Sequence, residues 1–214
     1  MWITNTEVFG FKAAIRGMRN PMNSWEHSDS TFTLSKVPCA IPEGPMLGLK
    51  DLTLTCKLIQ GGTVHRKFLR QIMIWTDIEA PRYVWQELDT YKVATVRNSY
   101  STMHKLGSRD LTKQDFEDEQ VLPDTLKTLN SLRIKYNMTR DYVFVRKMKS
   151  LLPEGFLQKA TYTMSYETAL HMFISRKDHR LSEWCTNSPK DSICKWIIRL
   201  PYMDNFVAST QQEI

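Results

Sequence analysis

The chain of 214 residues is 42% hydrophobic, 11% aromatic and 24% charged, enough for one domain with a substantial core and unlike the polar composition of disordered chains. No run approaches the roughly 20 apolar residues of a bilayer-spanning helix, and charges interrupt the best stretch, Ile72 to Val84. A net charge of +6 suits an anionic ligand and plain solubility alike. Lys and Arg concentrate only locally, at Arg66 to Arg70, Arg146 to Lys149 and Arg176 to Arg180, so neither a continuous basic stripe nor a module for duplex nucleic acid is present.

Met1-Trp2-Ile3-Thr4 is not a basic region leading into an apolar core, so no signal peptide is expected and the expected compartment is the cytoplasm. With no repeat, low-complexity tract or linker, a single domain over residues 1–214 is expected. Pro38 to Gly48, broken by Pro38, Pro42, Gly44, Pro45 and Gly48, reads as a loop joining an N-terminal portion to the rest. Leu52, Cys56 and Ile59 recur at helical spacing from Asp51 to Gln60, and Gly61-Gly62 supplies a left-handed stop. Gln71 to Glu79 reads as a strand, Ile72, Ile74, Thr76 and Ile78 alternating with Met73, Trp75 and Asp77. Ala80-Pro81 turns it into a helix with Val84, Leu88, Tyr91 and Thr95 on one side, Pro81 suiting the first helical position.

Further helices are predicted from Pro123 to Tyr136, on the stripe Leu126, Leu129, Leu132 and Tyr136, and from Arg140 to Leu152, ended by Pro153. Ala160 to Ser165 reads as a strand. Tyr166, Ala169, Leu170, Phe173 and Ile174 form another helical stripe, and Ile193 to Leu200 a last one, closed by Pro201. Helices outnumber strands, and the expected class is α/β (α+β) with a central sheet.

Cys39, Cys56, Cys185 and Cys194 form no CxxC unit and read as reduced thiols. His179 near Cys185 and Cys194 lacks the ligand number and spacing of a structural zinc site, so no metal is expected. Asn137-Met138-Thr139 matches the glycosylation triplet, a pattern short enough to arise by chance. There is no P-loop, GxGxxG, GxSxG or HExxH.

Thr95-Val96-Arg97-Asn98-Ser99-Tyr100-Ser101-Thr102 follows Lys92 and leads to His104 and Lys105. These neutral and charged donors suit a phosphate and sugar; the same composition also describes a solvated loop capping a helix. Arg176, held by the stripe before it, reads either as a two-pronged reader of carbonyls or phosphates or as a surface arginine. His65, His171 and His179 read as acid/base groups or, more simply, as structural and surface histidines. Tyr83, Trp85, Tyr91 and Tyr100 read as base-stacking or core-packing aromatics.

Two segments resemble flavin-dependent thymidylate synthases, which methylate dUMP with FAD, a reduced nicotinamide and methylenetetrahydrofolate. Phe68-Leu69-Arg70, the strand Gln71 to Glu79 and the ungapped stretch Ala80 to Thr95 resemble the family's PFEH segment, strand and helix leading into RHRxxSxNExSxRY. Leu152-Pro153 to Arg176, with Thr163, Ser165, Leu170 and Arg176, is spaced like its LP…T-x-N…LR segment. The resemblance covers about half the chain and implies an α/β fold with a central sheet, and a homotetramer with sites between subunits. It puts Thr90-Tyr91-Lys92 on the family's Arg-His-Arg, Thr95 on the following serine and Arg97-Asn98 on Asn-Glu. Arg70 falls on the histidine after Phe-Glu, and Glu87 on the glutamine before Arg-His-Arg. Tyr100-Ser101-Thr102, or Ser101-Thr102-Met103 with one residue inserted, replaces the terminal Ser-x-Arg. Arg176 falls on the arginine that reads uracil.

The altered positions are those that contact flavin and the dUMP phosphate in the family, and losing one charged hydrogen-bond contact costs about 1.5 to 3 kcal/mol. Holding a nucleotide needs less exact geometry than hydride and methylene transfer. The leading expectation is therefore a nucleotide-binding protein with the synthase chemistry lost and no catalytic residue assigned. Its ligand contacts would be Arg70, Glu87, Tyr91, Lys92, Thr95, Arg97, Asn98, Ser99, Ser101 and Arg176. The ligand would be a mononucleotide, dinucleotide or cyclic nucleotide, and a phage-encoded protein that sequesters a cyclic dinucleotide defence signal would suit such a site. The alternative is an active, divergent FAD-dependent thymidylate synthase or related pyrimidine-modifying enzyme, Lys92 and Arg97 taking over the flavin contacts; FAD belongs to that reading alone. A nucleotide hydrolase is a third class, for which no metal or nucleophile set is visible.

Overall fold

The computed structural model describes residues 1–32, 45–102 and 106–211. Cys39, Met103, His104, Lys105 and residues 38–44 of the expected loop lie outside the described residues. In chain order the elements are β1 (Trp2–Phe9), α1 (Phe11–Arg19), α2 (Leu49–Gln60), β2 (Met73–Pro81), α3 (Arg82–Leu88), β3 (Val96–Ser99), α4 (Pro123–Thr139), α5 (Tyr142–Leu151), β4 (Leu157–Ser165), α6 (Tyr166–Arg176), α7 (Ile193–Ile198) and α8 (Met203–Gln211). The strands form one open sheet in the order β1-β2-β4-β3, giving an α+β architecture. No described helix is long and apolar enough to cross a membrane.

β2 forms where alternation requires it: Ile72, Ile74, Thr76, Ile78 and Ala80 are buried, while Met73, Trp75, Asp77 and Glu79 are half-buried. Pro81 is extended, at φ −65° and ψ 154°, and is the residue just before α3 rather than its first helical residue. α3 then stops at Leu88 instead of running on to Thr95. The Thr90 hydroxyl donates to the Glu87 carbonyl at 2.7 Å, the Tyr162 hydroxyl donates to that of Leu88 at 3.3 Å, and Ala94 takes a left-handed φ of 55°. With those carbonyls taken and the backbone reversed, Tyr91 and Thr95 are not on a helix face.

The described chain divides into two compact units. One comprises Met1–Asn5, Thr76–Lys92 and Val96–Tyr162. Its helical part is α4 packed on α5, with Leu129, Val145, Met148, Leu152, Phe116 and Phe156 buried and Leu126, Leu132 and Tyr136 laid against them. This is the predicted stripe of α4 turned inward. In the same unit Asn5, inside β1, has a φ of 52°, and its Nδ2 donates to Asp77 Oδ2 at 2.9 Å.

The other unit comprises Thr6–Trp75, Val93–Thr95 and Thr163–Ile214. Its core is aromatic: Tyr166 meets Phe11 edge-on at 5.3 Å between ring centroids and Phe206 at 6.3 Å. Gly10 enters α1 at φ 103°, where a Cβ would lie 2.1 Å from the Gln71 carbonyl oxygen, so no other residue fits. The buried Asp51 accepts from Arg19 Nε at 2.6 Å, from the hydroxyls of Ser28 at 2.7 Å and Ser30 at 2.6 Å, and from two backbone amides, which fixes 28–30 on α2. β1, α1, β3 and α8 have no counterpart among the predicted elements.

Candidate functional site

Starting at Arg82, α3 places Arg82, Gln86 and Asp89 three to four residues apart on one side, while Val84, Trp85 and Leu88 are buried on the other. Arg97 from β3, Lys149 from α5 and Gln158 from β4 meet that polar side around a cavity of about 260 Å³. Trp85 forms its fixed wall, its indole Nε1 donating to the Gln158 carbonyl at 2.8 Å and its ring meeting Tyr162 at 6.0 Å. The Arg97 guanidinium carbon stands 5.0 Å from the Trp85 ring centroid, and its Nη1 lies 3.1 Å from Asp89 Oδ2.

Glu154 occupies Arg82, at 3.3 Å, and accepts from Gln86 Nε2 at 3.1 Å; Arg82 Nη1 also donates to the Leu152 carbonyl at 3.0 Å. Gln158 Nε2 donates to the Tyr100 carbonyl at 3.0 Å, tying β4 to the residue after β3. Three cations thus converge on a small polar cavity with two carboxylates for partners. A phosphate group is the kind of anion that can displace a half-exposed carboxylate such as Asp89 from Arg97.

Of the predicted contacts, only Arg97 lines this cavity. Glu87 and Tyr91 are half-buried in and after α3, and Lys92 is exposed beyond them. Asn98 and Ser99 are exposed on β3, and Ser101 is half-buried just past it. The remaining three belong to the other unit. There Arg70 is bonded to Glu167, which also pairs with Arg66 at 3.3 Å; Glu167 raises the Arg70 guanidinium above its ordinary value. Arg176, at the end of α6, has Nη1 2.8 Å from His179 Nε2 and its guanidinium carbon 5.2 Å from the Trp184 ring centroid. Thr95 is half-buried in the short 93–95 segment.

Sequence reading missed Arg82, Gln86, Asp89, Lys149 and Gln158 as lining residues, while Thr102 lay in the donor stretch it singled out. The run Arg146 to Lys149 was visible as a charge concentration, but nothing local ties it to Arg97, some fifty positions earlier. Only the α4–α5 hairpin and β4 bring them together.

Among the described residues no three His, Cys, Asp or Glu side chains are grouped to hold a metal ion. Cys194 is buried, and burial pushes its thiol up to about 12. At the positions where the resemblance implies flavin contacts, Arg70 pairs with Glu167, and Arg97 with Asp89 and Trp85. No flavin-dependent step is assigned to them.

No protein-family model and no curated protein sequence matches the chain. Solved structures do match its fold. The flavin-dependent thymidylate synthase ThyX of Helicobacter pylori, crystallised with FAD and dUMP, aligns over 97% of this chain and 97% of its own at 16% identity, with a TM-score of 0.66. A second structure of the Helicobacter pylori enzyme with FAD and dUMP aligns over 99% and 100% at 14% identity and 0.68. The UMP/dUMP methylase PolB of Streptomyces cacaoi, bound with 5-Br UMP, aligns over 98% and 95% at 14% identity and 0.55. The protein has the fold of the flavin-dependent thymidylate synthases.

Proposed function

We propose that the protein binds a nucleotide on this thymidylate synthase-like fold and holds it without methylating it. The observation that carries the reading is the cavity lined by Arg82, Arg97 and Lys149, in a fold whose matched structures were crystallised with FAD and dUMP or with 5-Br UMP. A phosphate exchanges with Asp89 at Arg97 and gains Lys149 and Arg82, while the sugar meets Thr102 and the amides of Gln86 and Gln158. Lys92, Asn98, Ser99 and Ser101, next to or on β3, extend the donor surface. Glu87 and Tyr91, of the same unit, are proposed to complete that set; in the other unit Arg176 is proposed, separately, to read a base edge, with Arg70 and Thr95 as further proposed ligand contacts of that unit.

Retention without turnover fits a protein that sequesters a nucleotide signal, and a cyclic dinucleotide used in defence against viruses is the ligand proposed, with a viral protein in the cytoplasm as its holder. The proposed assembly is a homotetramer. Native mass spectrometry of freshly purified protein, followed by addition of dUMP and of cyclic dinucleotides, tests this. A flavin-free tetramer that takes up nucleotide and releases it intact on denaturation is the expected result. FAD carried through purification with conversion of dUMP to dTMP, or a chain that takes up no nucleotide, overturns it.

A further inference from the structure

A second cavity, of about 590 Å³, lies between α1, the end of α2 and the 3-10 turn Arg66–Gln71, all within the unit that contains Arg176. Its floor is Phe68 and Met18, both buried, with Phe68 held edge-on to Phe206 at 6.4 Å. Met22 and Val64, also in its lining, are 58% and 68% exposed. Volume and lining are those of a small-molecule pocket, mainly apolar with a few polar groups.

The polar groups are specific. Gln71 Oε1 lies over α1 so closely that a Cβ at Gly17 would be 2.8 Å from it. Its carboxamide makes no side-chain hydrogen bond with any described residue, so donor and acceptor are both available side by side. The His65 ring is backed by Gly61, where a Cβ would come within 3.0 Å of it, and Lys67 stands exposed beside it.

We infer that this cavity is a binding site for a planar nitrogen heterocycle carrying an anionic group. An apolar slot walled by a phenyl ring and two thioethers takes the flat faces of a ring. A carboxamide offering one acceptor and two donors reads a heterocycle edge that presents the complementary pair, as it does with adenine. Lys67 and His65 at the mouth meet the anionic group. The inference does not rest on the nucleotide reading of the Arg97 cavity, since no residue is common to the two.

The test uses full-length protein with carbon-13-labelled methionine methyls, titrated with adenosine and with AMP. The expected result is saturable shifts of the Met18 and Met22 methyl signals with both, weakened about tenfold by Gln71→Leu and by Gly17→Ala, which displaces the amide. AMP binds more tightly than adenosine, and Lys67→Ala removes the difference. Arg97→Ala leaves these shifts unchanged, which separates this site from the other cavity. No shift of either methyl at millimolar adenosine overturns the inference, as does equal binding by Gln71→Leu, which would mean a greasy surface with no reader.

Discussion

Arg97 and Trp85 form a stacked pair in which the indole is fixed first, by its own hydrogen bond to the Gln158 carbonyl, and the guanidinium is laid over it 5.0 Å from the ring centroid. Asp89 holds the other side of that guanidinium. Arg97→Ala and Lys149→Ala are therefore expected to weaken nucleotide binding about tenfold each, while moving stability by no more than about 0.5 kcal/mol. Arg97→Lys does not restore affinity, because an ammonium neither stacks nor forks. Calorimetric titration with dUMP reads the first effect, and urea denaturation the second.

Lys92→Ala and Arg176→Ala probe the placements that came from the sequence. Each is expected to lower nucleotide affinity at least about tenfold with circular dichroism and assembly state unchanged. Unchanged affinity in both variants removes those two residues from the site.

The Arg19–Asp51 pair sets an acid limit on stability. Burial raises the Asp51 carboxyl, but hydrogen bonds from Ser30, Ser28 and Arg19 outweigh it and hold the group below its ordinary value. A lowered folded-state value means the contribution is complete above the unfolded carboxyl value of about 3.9 and is lost as pH falls through the folded one. Asp51→Asn leaves Arg19 buried without its counter-charge, an expected cost of about 3 to 5 kcal/mol near neutral pH. Melting temperature measured from neutral to acid pH should fall less steeply below about pH 4 in the variant than in the parent protein.

Leu129 is fully buried in the α4–α5 hairpin that carries Lys149. Leu129→Ala opens a cavity there, with an expected loss of about 2 to 5 kcal/mol. Nucleotide affinity of the folded variant falls less than it does for Lys149→Ala, since the cation is still present.

Cysteine chemistry offers an independent check on the buried α7 segment. Cys194 carries a thiol that burial pushes up to about 12, so at pH 8 alkylation is expected at the half-buried Cys56 and Cys185 well before Cys194. Peptide mass mapping after timed iodoacetamide treatment gives the order directly, and Cys194 should label only once denaturant is added.

Where a single side-chain period governs an element, the sequence was legible. β2, α4 and α6 lie where their apolar residues recur, and the Gly61-Gly62 stop and the Pro153 and Pro201 boundaries hold. β1 was not, because of its eight residues only Ile3 and Val8 are half-buried and the rest face solvent, leaving no alternation to detect. The overrun of α3 to Thr95 has a different cause: Thr90 and the distant Tyr162 capture its last carbonyls, the second of which no local pattern records. At the site, the resemblance led to Arg97 and to the neighbourhood of α3 and β3. Arg82, Asp89 and Lys149 needed the fold, since their common property is a shared cavity rather than a shared segment.

β1 also bears on how the protein behaves at high concentration. It is an outer strand of the sheet, and outer strands template pairing with other molecules unless something breaks their regularity. Asn5 is that interruption: its left-handed backbone, anchored to Asp77, puts a local bend in the middle of an eight-residue ribbon. A straight, β-branched replacement such as Asn5→Val would hand the ribbon a flat, continuous rim, and fibrils rather than loss of ligand would be its first symptom.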